Sequence, residues 1–556
     1  MKNRLLSLNK IFTFLSLLIA VIPNSNRAFG QTDTTMPSLL TGLPFQMPIP
    51  TLPVFPDNQV NILNFGANGN GLILNTEAFN KAIEACVVQG GGRVIVPAGV
   101  WLTGPIQFKS NIDLHLEKGA LIIFSKDHND YPIIQNPVNK SYMVASPIYG
   151  FSLENIAITG DGIIDGSGET WRPVKKSKTT EAQWKKLISS GGVVSGDKSM
   201  YWPTKEAMEG EKLLADIKKL GKKASAEDYL PARDFMRPYM VVFYQCKKVL
   251  LDGPTFQNSP KFVLYPTFCE DMTIRNINVL NEWWYQNGDG IDINGGKNIL
   301  VYNCTVSAGD DGICMKSSKS SNYKQDPALQ NVVIANCVVY HGHGGFVIGS
   351  NTDGGMKNIS VSNCNFIGTD IGLRFKSSRK KGGLVENIFI NNIYMKDIVN
   401  EAILFDTYYE TSGNQGQIPQ PVNEMTPRFQ KFNISNIYCV GAGQAVTITG
   451  LPEMPIQDIE LNNITISAEN GFTSTDAQNI RLNKVNILPV KGTVYTLNNS
   501  KDFIMQSLEC PTNAVLFIKL EGKNTANIQL INTDLSKAQK GTELGKEVDT
   551  NALIQK

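Results

Sequence analysis

The feature that most constrains this chain is an internal repeat. Apolar residues at offsets 0, +2, +5 and +7 recur along the sequence. The copies begin with Val249/Leu251/Pro254/Phe256, Met272/Ile274/Ile277/Val279 and Ile299/Val301/Cys304/Val306. They continue with Val332/Ile334/Cys337/Val339, Ile359/Val361/Cys364/Phe366 and Ile388/Ile390/Ile393/Met395. The last are Phe432/Ile434/Ile437/Cys439, Ile459/Leu461/Ile464/Ile466 and Ile480/Leu482/Val485/Ile487. The +2 steps are strand alternation, with the apolar side chains on one face. The central +3 step is a two-residue bend that commonly carries Asn, a residue that tolerates the left-handed conformation. Strand, bend and strand recur every 21 to 33 residues, with one interval of 44 between Ile388 and Phe432. One such unit cannot bury its own apolar face, so the units must stack, and the pattern predicts an all-β parallel β-helix. A sandwich or propeller would need hairpin turns of the Asn-Gly type between strands, and the repeat lacks them.

A solenoid needs a cap. Ala78, Phe79, Ala82, Ile83 and Cys86 form a helical apolar stripe within 75–88, ended by Gly90-Gly91-Gly92. The predicted solenoid runs over 59–535, after an extended lead-in at 31–58 and before a C-terminal tail at 536–556. Between Asp165 and Arg237 the repeat stops, which predicts an insertion over 166–237 with Trp171, Trp184, Trp202 and a charged helix over 205–223. From 171 to 237 there are 15 Lys and Arg against 9 Asp and Glu, so the insertion is locally basic.

The whole chain is nearly balanced at +2, which argues against a general nucleic-acid binder. Lys2, Arg4 and Lys10 precede an apolar run, Ile11 to Val21, and Ala28-Phe29-Gly30 reads as a cleavage site. Residues 1–30 are therefore expected to be a signal peptide, with the product exported to the periplasm or beyond and no membrane span once it is removed. Nine cysteines cannot all pair, and Cys304, Cys337 and Cys364 occupy core positions of the repeat, so they read as small buried hydrophobes.

Three carboxylates fall at suggestive spacing, in Asn287-Gly288-Asp289-Gly290 and Gly309-Asp310-Asp311. Asp289 and Asp310 are 21 residues apart, one short coil. Residues one coil apart stack at about the inter-strand distance of ~4.8 Å, so Asp289 is expected beside the other two. Gly309 and Gly312 allow an irregular path that brings both neighbouring aspartates to one groove. Clustered carboxylates cannot all ionise easily, which separates an acid from a base at one pH, as glycoside hydrolysis requires. A calcium site is the competing reading of such a cluster. His341-Gly342-His343-Gly344-Gly345 lies one coil on and Arg374-Phe375-Lys376 another, the last pair suited to a sugar carboxylate.

Asn287-Gly288-Asp289, Gly309-Asp310-Asp311, Gly342-His343-Gly344 and Arg374-Phe375-Lys376, in this order, resemble the four signatures of the polygalacturonase family, glycoside hydrolase family 28. The likeness extends through Phe65-Gly66-Ala67 and Pro97-Ala98-Gly99, over roughly residues 60 to 490. The resemblance implies a right-handed β-helix and inverting hydrolysis of an acidic pectic polysaccharide or oligosaccharide by a monomer, with no metal or organic cofactor. It implies Asp310 as general acid, Asp289 and Asp311 as holders of the attacking water, and His343 as a tuner of the acid. Arg374 and Lys376 would bind a galacturonate carboxylate, with Asn287 and Lys316 as further substrate-binding residues. Gly69-Asn70-Gly71 departs from the usual Gly-Asp-Gly. Asn258-Ser259-Pro260-Lys261-Phe262 with Tyr265-Pro266 departs from the usual His-Pro, which bears on the outer substrate pocket. A β-helix lyase or epimerase using Ca²⁺, and a non-catalytic glycan-binding β-helix, are the alternatives. The basic insertion ahead of the aspartates, together with Trp283-Trp284-Tyr285, predicts a groove closed at one end and exo attack.

Overall fold

The computed structural model describes residues 35–411, 418–512 and 514–556. Met1–Thr41 and Gly42–Lys556 form two separate units. In the first, the described residues hold a short helix, Thr35–Leu40. The expected signal peptide lies outside the described residues. Among those described, no helix is long and apolar enough to cross a membrane.

In the second unit the repeat winds as expected into a right-handed parallel β-helix. One coil runs through Ile291–Tyr302, bends, continues as Thr305–Ala308 and rises into Asp311–Lys316. The first residues of the repeat phrase lie in parallel register, Ile299 on Val332, Ile359, Ile388, Phe432, Ile459 and Ile480. That column continues through Phe503, Ile528 and Leu553. These side chains are buried in one continuous core, with Leu553, on the last rung, partly buried against it. The bend at +4 of the phrase is left-handed, with φ of 54° at Asn276, 53° at Asn303, 55° at Asn336 and 54° at Asn363. Asn side chains there bond from coil to coil, Asn336 Nδ2 to Asn303 Oδ1 at 3.4 Å and Asn392 Nδ2 to Asn363 Oδ1 at 3.1 Å. A second column, which the repeat phrase does not include, joins Asn298, Asn331, Asn358 and Asn387 at 3.2, 3.1 and 3.3 Å.

The capping helix is Thr76–Val88, with the five expected apolar residues buried. In Gly69-Asn70-Gly71 the Asn70 Oδ1 accepts from Leu72 and Ile73 N–H at 2.9 and 3.2 Å, a turn role that Asp would fill equally. The nine cysteines are free and buried. The expected tail is corrected: Lys540–Leu544 and Leu553–Gln555 pair in parallel with Leu516–Glu521 and Ala526–Ile531, so the solenoid runs on past 535.

The insertion leaves the solenoid after Ile163–Asp165 and returns at Val241–Tyr244. It carries helices Glu181–Ser189 and Lys205–Leu220 and three short antiparallel strands, Val174–Lys175, Val193–Val194 and Met200–Trp202. Trp171 is buried against the His128 ring at 3.5 Å, and His128 Nδ1 lies 2.8 Å from Asp234. The Arg172 guanidinium sits 3.3 Å above the Tyr285 ring. Trp184 is also buried, so two of the insertion's three tryptophans pin it down rather than stand open to a ligand.

Candidate active site

Four rungs of one face bring the signatures together. Ile291 pairs with Ile313, Asp311 with Gly344, and Val347 with Arg374. The first register offset is 22, so Asp289 stands opposite Asp311 rather than Asp310. Asp310 lies just ahead of its strand, off the alternation, and its carboxyl reaches the same groove. One carboxylate oxygen from each of Asp289, Asp310 and Asp311 lies within 4.8 Å of the other two. Gly309 serves close approach: a Cβ there would stand 2.4 Å from the Tyr285 carbonyl.

The three carboxyls differ in their surroundings. Asp311 is buried, but the charges of Lys376, Lys316 and Arg374 outweigh that burial and hold it far below the usual carboxylate range. Its oxygens are 2.9 Å from Lys376 Nζ and 3.3 Å from Arg374 Nη1. Asp289 goes the other way. Burial, then the charges of Asp292 and Asp310, push it well above the usual value. For Asp310, burial works upward, but the His343 hydrogen bond and charge bring it below its ordinary value in the substrate-free protein. His343 Nδ1 lies 3.1 Å from Asp310 Oδ1, and the His343 N–H donates to the Asp310 carbonyl at 2.7 Å.

Arg374 and Lys376 face outward around Phe375, which packs between Phe346 and Phe405 in the core. Arg374 Nη1 also donates to the His343 carbonyl at 3.3 Å, and its Nε is left without an acceptor. Lys376 is 4% exposed and committed to Asp311. Lys316 is enclosed by acids, 2.8 Å from Asp292, 3.6 Å from Asp289 and 3.9 Å from Asp311. Asn287 accepts from Arg237 Nη2 at 2.8 Å.

A cavity of about 650 Å³ opens beside this cluster. Tyr239, Lys261, Tyr265 and Asn294 form its floor, and Leu214, Phe235, Met236 and Arg237 of the insertion wall it. Asn294 is in register with Lys316, so the cavity adjoins the catalytic rungs.

The profile of the family described as Glycosyl hydrolases family 28 matches residues 232–487, which contain every carboxylate and cation above. The chain is 27% identical to "Exo-poly-alpha-D-galacturonosidase" of Dickeya chrysanthemi, over 77% of this chain and 70% of that one. It is 24% identical to "Probable polygalacturonase" of Vitis vinifera, over 76% and 78%. The solved structure of a hyperthermoactive exopolygalacturonase from Thermotoga maritima superposes with a TM-score of 0.63 at 29% identity, covering 78% of this chain and 93% of that one. The stretch of this chain that carries the site, residues 232–487, matches glycosyl hydrolase family 28.

This glycosidase carries two site residues that sequence reasoning missed. Asp292 is fully buried, and burial raises its carboxyl to about 6 against the pull of Lys316. Neither of its oxygens, nor Oδ1 of Asp289, has a donor in hydrogen-bond geometry. Burial and the charge of Asp292 both raise Asp289, so the two acids form a coupled pair. The register places it there, since Asp292 lies opposite Cys314 and two residues before Asn294, the partner of Lys316. The second is Lys178 of the insertion, whose ammonium lies 3.1 Å from His343 Nε2. No periodicity in 166–237 marks it.

Proposed function

We propose that this glycosidase hydrolyses galacturonic-acid-containing pectic polysaccharide, with inversion and from a chain end. The observation that carries the reading is one groove holding three clustered carboxylates, with Asp311 kept ionised by Lys376 and Arg374. Asp310 is the general acid. Its side chain is the most open of the three, 15% exposed against 4% for Asp289 and 3% for Asp311. It gives its proton to the glycosidic oxygen as the bond to the anomeric carbon breaks. Asp289 and Asp311 hold the water that attacks that carbon, and the ionised Asp311 takes its proton. In the substrate-free protein burial and the neighbouring acids raise Asp289 while His343 lowers Asp310. An anionic sugar entering the groove and displacing water favours protonated Asp310, because both raise the cost of its charge.

Arg374 is the cation with capacity for a sugar carboxylate, while Lys376 and Lys316 serve as counter-ions of the catalytic acids. The carboxylates' positive partners are thus supplied by the chain, and the hydrolysis draws on no metal. The cluster is tighter than the separation of about 6.5–9.5 Å usual for a two-carboxylate inverting site. Inversion rests on the likeness to family 28 over residues 232–487 and on the water-holding pair. The exo preference draws on the walled cavity and on the names of the Dickeya and Thermotoga relatives. The leader sequence at 1–30 fits an exported enzyme meeting polymer outside the cytoplasm.

The test is turnover of polygalacturonate against a neutral galactan, with NMR of the first product. Uronate-selective cleavage and an inverted anomer are expected, and retention would overturn the three-aspartate mechanism. A lyase would instead give an ultraviolet-absorbing product and lose activity to a chelator.

A further inference from the structure

The insertion does more than wall the groove. Lys178 follows the strand Val174–Lys175 and projects its ammonium into the catalytic cluster. That ammonium has three acceptors: the Trp283 carbonyl at 3.3 Å, the Gly309 carbonyl at 3.3 Å and His343 Nε2 at 3.1 Å. Three N–H donors meet three acceptors, so Lys178 is anchored rather than free for a ligand. An ammonium only donates. His343 must therefore offer its Nε2 lone pair, and the ring proton must sit on Nδ1. Nδ1 faces Asp310 Oδ1 at 3.1 Å. The same Oδ1 accepts the Asp311 N–H at 3.0 Å. With Oδ1 taken by two donors, a proton arriving on Asp310 has only Oδ2 to occupy.

We propose that Lys178, contributed by the insertion, is a positioning residue that fixes the tautomer of His343 and thereby keeps the acid proton of Asp310 on Oδ2. This rests on the reading of Asp310 as the general acid. Without Lys178 the imidazole can carry its proton on Nε2, the side of Asp370, whose Oδ2 lies 3.7 Å away. The Nδ1 lone pair would then face Asp310 Oδ1 and draw the acid proton to that oxygen, away from the leaving group. The proton count is unchanged and only its place is wrong. The groove cations Arg374 and Lys376 are untouched, so binding should persist while chemistry slows.

The chain has only four histidines, so the full-length protein labelled with ¹⁵N-histidine gives a resolvable two-bond spectrum, with His343 assigned by its loss in His343→Gln. In the substrate-free wild type, His343 should be in the Nδ1–H form. In Lys178→Met it should become a mixture or the Nε2–H form, with kcat down at least about tenfold and KM changed by less than about threefold, within the range general-acid help can supply. Lys178→Arg keeps a donor at the site and should restore the Nδ1–H form. The proposal is overturned by a wild-type His343 protonated on Nε2, by a Lys178→Met enzyme with unchanged kcat, or by a defect confined to KM. The tautomer is read without substrate. If pectic substrates are not turned over, the reading of the function fails while the tautomer result still decides the role of Lys178.

Discussion

Asp310→Asn keeps the side-chain volume and the contact with His343, yet it cannot give a proton to a leaving oxygen. Turnover should fall by at least about 10² to 10⁴ with the thermal midpoint little changed, and a variant retaining half its activity would remove Asp310 from the acid role. Arg374 and Lys376 share a motif but part ways in their partners. Lys376 is buried on Asp311 at 2.9 Å, so Lys376→Ala should act mainly on kcat by releasing the base. Arg374 is less committed, and Arg374→Ala should act mainly on KM for uronates, with a charge-assisted contact worth about 1.5–3 kcal/mol. Equal KM loss on a neutral glycan would show that Arg374 is only structural. Asp289 carries a stability consequence. Its folded pKa is raised, so its contribution is fully present below the unfolded value of about 3.9 and is lost as pH climbs through the folded one. At neutral pH the site is therefore costly, and Asp289→Asn should raise the thermal midpoint relative to wild type. The gap should widen from about pH 4 upward, and a gap that narrows would contradict the raised pKa. The convergence of Asp289, Asp310, Asp311 and His343 was legible because their short phrases fall on three successive coils. Asp292 was not, because in Ile291-Asp292-Ile293 it reads as an ordinary outward residue of an alternating strand, and only three-dimensional burial with Lys316 reveals its role.

At the scale of the element, the coil depends on its left-handed bends. A β-branched residue at such a position meets its own carbonyl, at a cost of about 1–2 kcal/mol. Asn336, at φ 55°, also bonds to Asn303 in the coil below. Asn336→Val should lower the denaturant midpoint clearly, and Asn336→Gly should lower it less, because glycine restores the backbone freedom but not the bond. Equal effects would place the stabilisation in the side-chain ladder alone. The asparagine at +4 could be read from the sequence because it recurs with the apolar phrase. The second column, from Asn298 to Asn387, lies just before that phrase and was missed. The last rungs were missed for a different reason: Lys540–Leu544 holds only one apolar residue, Leu544, too few for a period to register. Inside the insertion the charged helix was legible from its composition. The path that delivers Lys178 to His343 was not, since it depends on how Trp171 and Arg172 dock.

For the whole molecule, the consequence of a solenoid is that one long face is open to a polymer unless something blocks it. In this chain the insertion stands on that face one side of the catalytic rungs, with Phe235, Met236 and Arg237 lining the cavity that leads away from Asp289. Arg237 is pinned there by its bonds to Gln286 and Asn287, so the wall is tied to the catalytic loop itself. A polymer threading through would have to displace that guanidinium from the Asn287 side chain. A chain end, by contrast, can lodge in the cavity with its next bond over Asp310 and the rest of the polymer running past Arg374. The expected products are single sugar acids or short units freed from the non-reducing end. Viscosity measured against reducing-sugar release separates the two modes, because internal cuts shorten a polymer long before many ends appear. Viscosity should fall slowly and in proportion to the ends released; a rapid fall at low release would show internal cutting and open the groove on the insertion side.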